Sequence, residues 1–173
     1  PSLFGSRWDA GARVFGFFLG GDEELYRDGE VSPEETVTSR EALVTLYLGR
    51  PIGSFLKFDL SYGLQWDDYA RSDDTADEFV VPSTTWTSSL AADLSYSRSG
   101  YRLGLQASAN DRQSWEYWGL PGNTEYSPDQ QDFVWWSAVF GKTWWPGRFG
   151  KVGLELEHLD GDDLDRFSKY DFS

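Results

Sequence analysis

Cysteine is absent from this chain of 173 residues, and histidine occurs once, at His158. Without cysteine the fold has no disulfide framework, and the chain has no thiolate nucleophile or thiolate metal ligand. A single histidine without cysteine also excludes zinc sites of the usual kind. We therefore expect neither a metal nor another cofactor.

Long apolar runs are also absent, since no segment approaches the ~18 consecutive apolar residues that indicate a membrane helix. Hydrophobic residues make up 39% of the chain, and the mean hydropathy is −0.53. This pattern excludes a helical membrane protein. It does not exclude a membrane β-barrel, in which only every second residue of a strand faces lipid.

Positive charge is scarce, because 15 Lys and Arg stand against 29 Asp and Glu, which gives a formal net charge of −14. Nucleic acid is excluded as a partner, since phosphate neutralisation needs clustered Lys and Arg. The chain also lacks a nucleophile elbow, a P-loop and a dinucleotide fingerprint, so we do not expect an enzyme.

What the sequence does contain is alternation, most clearly between Leu56 and Trp66. Every even position there is Leu, Phe, Tyr or Trp, and every odd position is Lys, Asp, Ser, Gly or Gln. A period of two indicates a β-strand with one apolar and one polar face. Strands of soluble sandwiches average only about 5 to 6 residues, whereas a membrane strand needs about 9 to 11, so the length favours a membrane strand.

Seven further segments of this kind complete the predicted strands, and their connections alternate between long and short. The predicted strands are 7–19, 39–48, 54–66, 84–97, 101–110, 131–145, 150–159 and 166–173. The short turns contain Arg50, Arg98 and Arg148, whereas the long loops contain most of the acidic residues. Outer-membrane barrels have minimal turns at one end and long loops at the other.

The sequence therefore predicts one all-β domain over residues 1–173: an antiparallel, up-and-down transmembrane β-barrel of about eight strands. The barrel is either closed or the first half of a larger barrel of sixteen strands. We expect a larger barrel unless residues 7–19 pair directly with the segment after Asp165, because unpaired strand edges are costly in hydrocarbon.

Shared parity identifies the residues predicted to face lipid. They are Leu56, Phe58, Leu60, Leu64, Leu90, Leu94, Leu103, Leu105, Leu154 and Leu156. The opposite faces hold charges of both signs, which we expect to form cross-strand ion pairs in the lumen rather than to line an open pore.

Aromatic residues make up 17% of the chain and cluster at both ends of the predicted strands. Interfacial aromatic girdles are typical of membrane barrels. The predicted girdle residues are Trp8, Trp66, Tyr69, Trp86, Tyr96, Tyr101, Trp115, Trp118, Trp144 and Trp145.

Three segments carry a family resemblance: Leu3-Phe4-Gly5-Ser6-Arg7-Trp8, Leu48-Gly49-Arg50-Pro51-Ile52-Gly53 with the later Trp66-Asp67-Asp68-Tyr69, and Leu164-Asp165-Arg166-Phe167-Ser168-Lys169-Tyr170. Together they resemble the BamA-type surface-antigen barrels of the bacterial outer membrane. The resemblance implies the first half of a sixteen-stranded barrel that inserts or translocates other proteins, with the first strand at a lateral gate. A separate eight-stranded barrel of the OmpX or PagL class fits the length equally well.

These interpretations imply a place in the Gram-negative cell envelope, in the outer membrane. The expected partners are membrane lipid and lipopolysaccharide, with other barrel strands or envelope proteins as further candidates. The alternative function is a soluble, aromatic-rich β-barrel or sandwich that binds a carbohydrate or small ligand. In that case the even faces pack inward, and Trp115, Tyr117 and Trp118 stack on a sugar.

Two candidate sites have simpler interpretations. The acidic segments 67–74 and 160–165 are rich in carboxylates that suit Ca²⁺ or Mg²⁺, but they do not match an EF-hand loop and are interpreted as solvated loops. His158 is a possible general base beside Glu157 and Asp160. However, it continues the apolar parity of Leu154 and Leu156, and hydrolases of the PagL type have Ser where this chain has Asp160. We interpret it as an interfacial histidine.

Overall fold

The computed structural model describes residues 8–27, 30–122, 131–147 and 150–164, and its main feature is one antiparallel sheet of seven long strands. The long strands are β1 (Asp9–Glu23), β4 (Val37–Ile52), β5 (Leu56–Arg71), β6 (Thr85–Arg98), β7 (Tyr101–Gln113), β8 (Asp132–Trp144) and β9 (Val152–Asp162). Between β1 and β4, the short strands β2 (Tyr26–Arg27) and β3 (Glu30–Val31) pair with each other, and a 3-10 turn spans Pro33–Glu35.

The prediction of an all-β antiparallel fold is confirmed. Sheet order is β1-β4-β5-β6-β7-β8-β9, so the long strands follow one another as an up-and-down meander. The observed strands are generally longer than predicted: β5 extends past Trp66 to Arg71, and β4 begins at Val37 rather than near Ser39. The predicted eighth strand, 166–173, lies outside the described residues.

Short turns join the strands at one end of the sheet. Between β6 and β7, Ser99 and Gly100 both have positive φ, at 51° and 78°. Two successive positive φ values are what a two-residue type I′ hairpin turn requires, and its twist matches that of the flanking strands. Gly53, with φ 68°, has the same left-handed conformation in the turn between β4 and β5.

Strand pairing is staggered across the sheet. One row of directly paired residues contains Arg50, Phe58, Leu94, Leu105, Ala138 and His158. The row begins beside the short turn after β4 but reaches β9 past the middle of that strand. The register therefore shifts steadily from strand to strand, which is the stagger that barrel-type sheets require.

The sheet is not closed by hydrogen bonds within the described residues. Among these residues each inner strand pairs on both sides, whereas β1 pairs with β4 alone and β9 with β8 alone. The two outer edges therefore present backbone N–H and C=O groups without a strand partner among these residues.

The best buried hydrophobic residues lie in the long loops rather than between the strands. We call this group the loop cluster, and it consists of Leu25, Val37, Phe79, Trp115 and Trp118. Each of its side chains is at most 3% exposed. The prediction of long, polar, solvated loops missed this core, which gathers residues from three connections at the long-loop end.

Arg71 fastens one of these loops to the sheet. Its guanidinium donates hydrogen bonds to the carbonyl oxygens of Ala76 at 2.6 Å, Asp77 at 2.8 Å and Phe79 at 2.6 Å. Further along, the backbone of Val80 forms an antiparallel bridge with Gly119, which joins this loop to the loop that contains both cluster tryptophans.

We expect Arg71→Ala to destabilise the long-loop end by about 1 to 3 kcal/mol, because three carbonyl groups lose a charged donor. Hydrogen exchange at the paired amides of Val80 and Gly119 should accelerate accordingly. Arg40→Ala is the matched control, since the contact of Arg40 within the described residues is an exposed ion pair with Asp68 at 3.7 Å, and such pairs contribute about 0 to 1 kcal/mol. Equal exchange rates in the two variants would contradict the role given to Arg71.

Candidate functional site

The sheet has a polar inner face that surrounds a cavity of about 880 Å³. Residues from β1 and from β4 to β8 line this one cavity, which requires a sheet curved strongly around it. The inner face contributes hydroxyl and amide groups at mid-height. They are supplied by Thr45, Ser61, Gln65, Ser89, Gln106, Ser108 and Asn110.

Toward the short turns, charged side chains occupy the inner face instead. Lys57 and Asp59 form an ion pair at 2.7 Å. Arg102 on β7 reaches Glu155 on β9 at 3.3 Å, across the intervening strand. Gly141 on β8 lies between the two in register, and its missing side chain leaves the space for this contact. Of these two ion pairs, Lys57–Asp59 lies within β5 and Arg102–Glu155 joins β7 to β9, while the long-loop half of the inner face retains the cavity. The expected filling of the lumen by cross-strand ion pairs stays a prediction.

Arg112 lies where the cavity meets the loop cluster. Its guanidinium carbon is 4.4 Å from the ring centre of Trp115 and 4.4 Å from that of Phe133. Leu25 and Tyr69 also contribute to both the cavity wall and the packing around the cluster. The loops therefore border one end of the cavity with a buried apolar core.

The outer face of the sheet is apolar and exposed, which reverses the arrangement of a soluble domain. The register places all ten residues predicted to face lipid on this side. Most of them are exposed, with Leu105 at 55% and Leu156 at 57%. Leu56 and Phe58 are half-buried. Contact between this face and lipid stays a prediction, but the fold places all ten residues on the same face.

Seven of the ten predicted girdle residues lie at the ends of the outer face or directly beyond them. Trp66 and Trp86 are paired across β5 and β6 at the long-loop end. The other five, which lie near the short turns, are Trp8, Tyr96, Tyr101, Trp144 and Trp145.

The remaining three girdle assignments need correction. Trp115 and Trp118 are each 2% exposed, with ring centres 6.2 Å apart, so they contact each other in the loop cluster. Tyr69 has odd parity on β5, lines the cavity and packs edge-on against Trp115 at 6.2 Å. The loops enclose Trp115 and Trp118, and Tyr69 faces the cavity, so none of the three rings is placed to form an interfacial belt.

The first half of β8 is apolar on both faces because one face lines the cavity and the other belongs to the outer face of the sheet. Phe133 and Trp135 point into the cavity, while Val134 and Trp136 are on the outer face. His158 is on the outer face beside Trp136, with a ring-centre distance of 5.1 Å. Its neighbour Glu157 has the opposite parity, so the structure does not bring this carboxylate to the imidazole.

The outer face also has an end-to-end charge difference. Carboxylates lie at its long-loop end, and they belong to Asp68, Asp111, Asp132, Asp160 and Asp162. Asp111 and Asp132 are directly paired beyond the apolar part of β7 and β8.

No metal centre emerges from these acidic residues. Within the described part of the chain, no group of three or more His, Asp and Glu side chains is arranged to hold a metal ion. Asp160 instead accepts a hydrogen bond from the backbone N–H of Gly161 at 2.8 Å, and Asp67 accepts one from Gln65 at 2.8 Å.

Comparison with protein-family models, with curated proteins and with solved structures finds no match for this chain. Among the residues that the structure describes, no helix has the length and apolar character needed to cross a membrane.

Proposed function

We propose that this chain is a transmembrane β-barrel segment of the bacterial outer membrane, and that its seven long strands span the bilayer. The observation that carries this proposal is the reversed polarity of the sheet. Apolar side chains cover the outer face, while hydroxyl, amide and charged groups surround the inner cavity. Water does not favour such an arrangement, because apolar surface gains free energy by leaving water.

The outer apolar band has the right height for this role. On β5 it extends from Leu56 to Trp66, and on β7 from Tyr101 to Ala109. At the long-loop end the next outward residues on these strands are Asp68 and Asp111. Membrane strands need about 9 to 11 tilted residues, and the apolar band of known barrels is about 25 Å tall.

Spanning a bilayer also requires that the edges of β1 and β9 be covered. Unpaired backbone groups cost several kcal/mol each in hydrocarbon, so open sheet edges are not stable there. The proposal therefore includes closure of the sheet by further strands, as in a larger barrel. Assembly or translocation of other outer-membrane proteins is the role that fits the resemblance to BamA-type barrels.

A soluble carbohydrate-binding protein is less well supported. That interpretation needs the even faces of the predicted strands to pack inward, whereas Leu60, Leu90 and Leu94 are exposed on the outer face. It also needs accessible tryptophans in the loop before β8, and both Trp115 and Trp118 are buried.

Site-specific spin labelling tests the proposal directly, because the chain contains no native cysteine. We expect a nitroxide at Leu105→Cys, in protein reconstituted into phospholipid vesicles, to collide mainly with oxygen, which concentrates in the bilayer. A nitroxide at the adjacent Gln106→Cys should collide mainly with a water-soluble nickel complex, because Gln106 lines the cavity. Water-like accessibility at both positions would refute a membrane-spanning sheet.

A further inference from the structure

Cations and aromatic rings are paired at the short-turn end of the outer face. The guanidinium carbon of Arg50 lies 5.2 Å from the ring centre of Trp8, and that of Arg98 lies 4.5 Å from the ring centre of Phe55. The ammonium nitrogen of Lys142 lies 3.5 Å from the ring centre of Tyr101. We call these six residues the short-turn rim.

The three pairs share one level of the molecule. Arg98 is the last residue of β6, and Arg50 and Lys142 lie close to the ends of β4 and β8 that approach the short turns. In each of these strands the cation has the same parity as the outward apolar residues, such as Leu48, Leu94 and Phe140. The rim therefore borders the apolar band directly.

Among the residues that the structure describes, no carboxylate forms an ion pair with a cation of the rim. Within the described residues, the ion pairs involve Arg40, Lys57 and Arg102, and none involves Arg50, Arg98 or Lys142. Lys142 donates one hydrogen bond to the carbonyl oxygen of Ser99 at 3.1 Å. In a chain with a net charge of −14, three outward cations that form no ion pair with the described carboxylates are unexpected.

A cation that packs against the face of an aromatic ring keeps its other hydrogen-bond donors available. A guanidinium that stacks on a ring face still presents its edge N–H groups, and an ammonium has three donors, of which Ser99 takes one. Aromatic rings prefer the headgroup region of a bilayer, and the ends of Lys and Arg side chains extend to the same depth. Phosphodiester groups supply the matching negative charge at that depth.

We propose that the short-turn rim binds the phosphate groups of anionic phospholipids in the leaflet that it meets. The inference rests on the proposed membrane-spanning function and adds the chemistry of the lipid partner. The opposite end of the outer face carries carboxylates, so the charge difference would also orient the chain with its short turns toward the more anionic headgroups.

The test uses the full chain in vesicles that contain brominated lipids, which quench tryptophan fluorescence when they lie next to the protein. Brominated phosphatidylglycerol diluted in phosphatidylcholine is compared with brominated phosphatidylcholine diluted in phosphatidylglycerol. The two titrations give the relative binding constant of the anionic lipid. An anionic surface favours each nearby Lys or Arg by about fivefold, so we expect the wild-type protein to prefer phosphatidylglycerol at least fivefold.

The variant Arg50→Gln/Arg98→Gln/Lys142→Gln should bring this preference close to one, because it removes the charges and keeps the rings. The control Arg40→Gln/Lys57→Gln/Arg102→Gln loses the same charge from residues that pair with carboxylates. It should keep the wild-type preference.

Equal losses in the two triple variants would overturn the proposal, since net charge alone would then explain the effect. An unchanged preference in the rim variant would also overturn it. If millimolar inorganic phosphate abolishes the preference in the wild type, the rim is a free-phosphate site and the lipid assignment is wrong. Quenching by neither lipid would refute the membrane-spanning function itself, which separates that failure from a failure of the rim.

Discussion

Leu60→Arg should reduce the folding free energy in lipid vesicles by about 2 to 4 kcal/mol, which is the cost of an arginine near the middle of the bilayer on the lipid face of a barrel. Leu60 is paired with Leu48 on β4 and with Ala92 on β6, so apolar residues flank it on both sides. Chemical denaturation of protein folded into vesicles measures the difference.

The adjacent residue supplies the control. Ser61 points into the cavity, where an arginine side chain finds both space and polar groups. Ser61→Arg should therefore cost much less than Leu60→Arg, although the two variants differ by one position and carry the same new side chain. If Ser61→Arg proves the more damaging of the two in lipid, the inner and outer faces are assigned the wrong way round.

Alternation along single strands was sufficient to predict the sheet. Between Leu56 and Trp66 the apolar and polar residues separate without exception, and β5 has that arrangement. The two alternating segments on either side of the short stretch Ser97-Arg98-Ser99-Gly100 predict a hairpin, and β6 and β7 form it. Local patterns of this kind need no knowledge of distant contacts.

Local patterns did not predict where the loop aromatics lie. Leu25, Phe79 and Trp118 come from three separate connections, and no periodicity relates them. Trp115 and Trp118 follow β7 directly, so proximity to a strand end suggested a girdle. Their burial depends on loops that are distant in sequence, and the only local signal was the presence of large apolar residues in otherwise polar segments.

The parity of Tyr69 could have been used, in contrast. Tyr69 has an odd number in a strand whose apolar face is even, and the strand continues in register to Arg71. Extending the alternation by a few residues assigns Tyr69 to the polar face. Aromatic character alone favours a girdle position for Tyr69. Register is the stronger constraint, since a shift of one residue exchanges the two faces.

Phe79→Ala should be the most damaging substitution in the loops, with a loss of about 3 to 5 kcal/mol, the range for a buried phenylalanine replaced by alanine. The side chain of Phe79 is 0% exposed and its ring centre lies 6.4 Å from that of Trp118. Truncation leaves a cavity in the loop cluster, and the long loops hold few other buried apolar residues to fill it.

Hydrogen exchange at the amides of Val80 and Gly119 reports this loss, because each of the two donates to the other's carbonyl oxygen, at 3.0 and 2.8 Å. Tyr117→Ala is the control: Tyr117 is 47% exposed in the loop that contains Gly119, and its hydroxyl donates a hydrogen bond to the nearby carbonyl of Leu120 at 3.2 Å. Truncation at such a position should change stability by less than about 1 kcal/mol.

If Phe79→Ala leaves both amides as protected as in the control, the loops do not fold as one unit around the cluster. If it accelerates exchange there while the strand amides of β5 and β6 keep their protection, the loop end unfolds separately from the sheet, and the cavity can open to the long-loop side without loss of the strands.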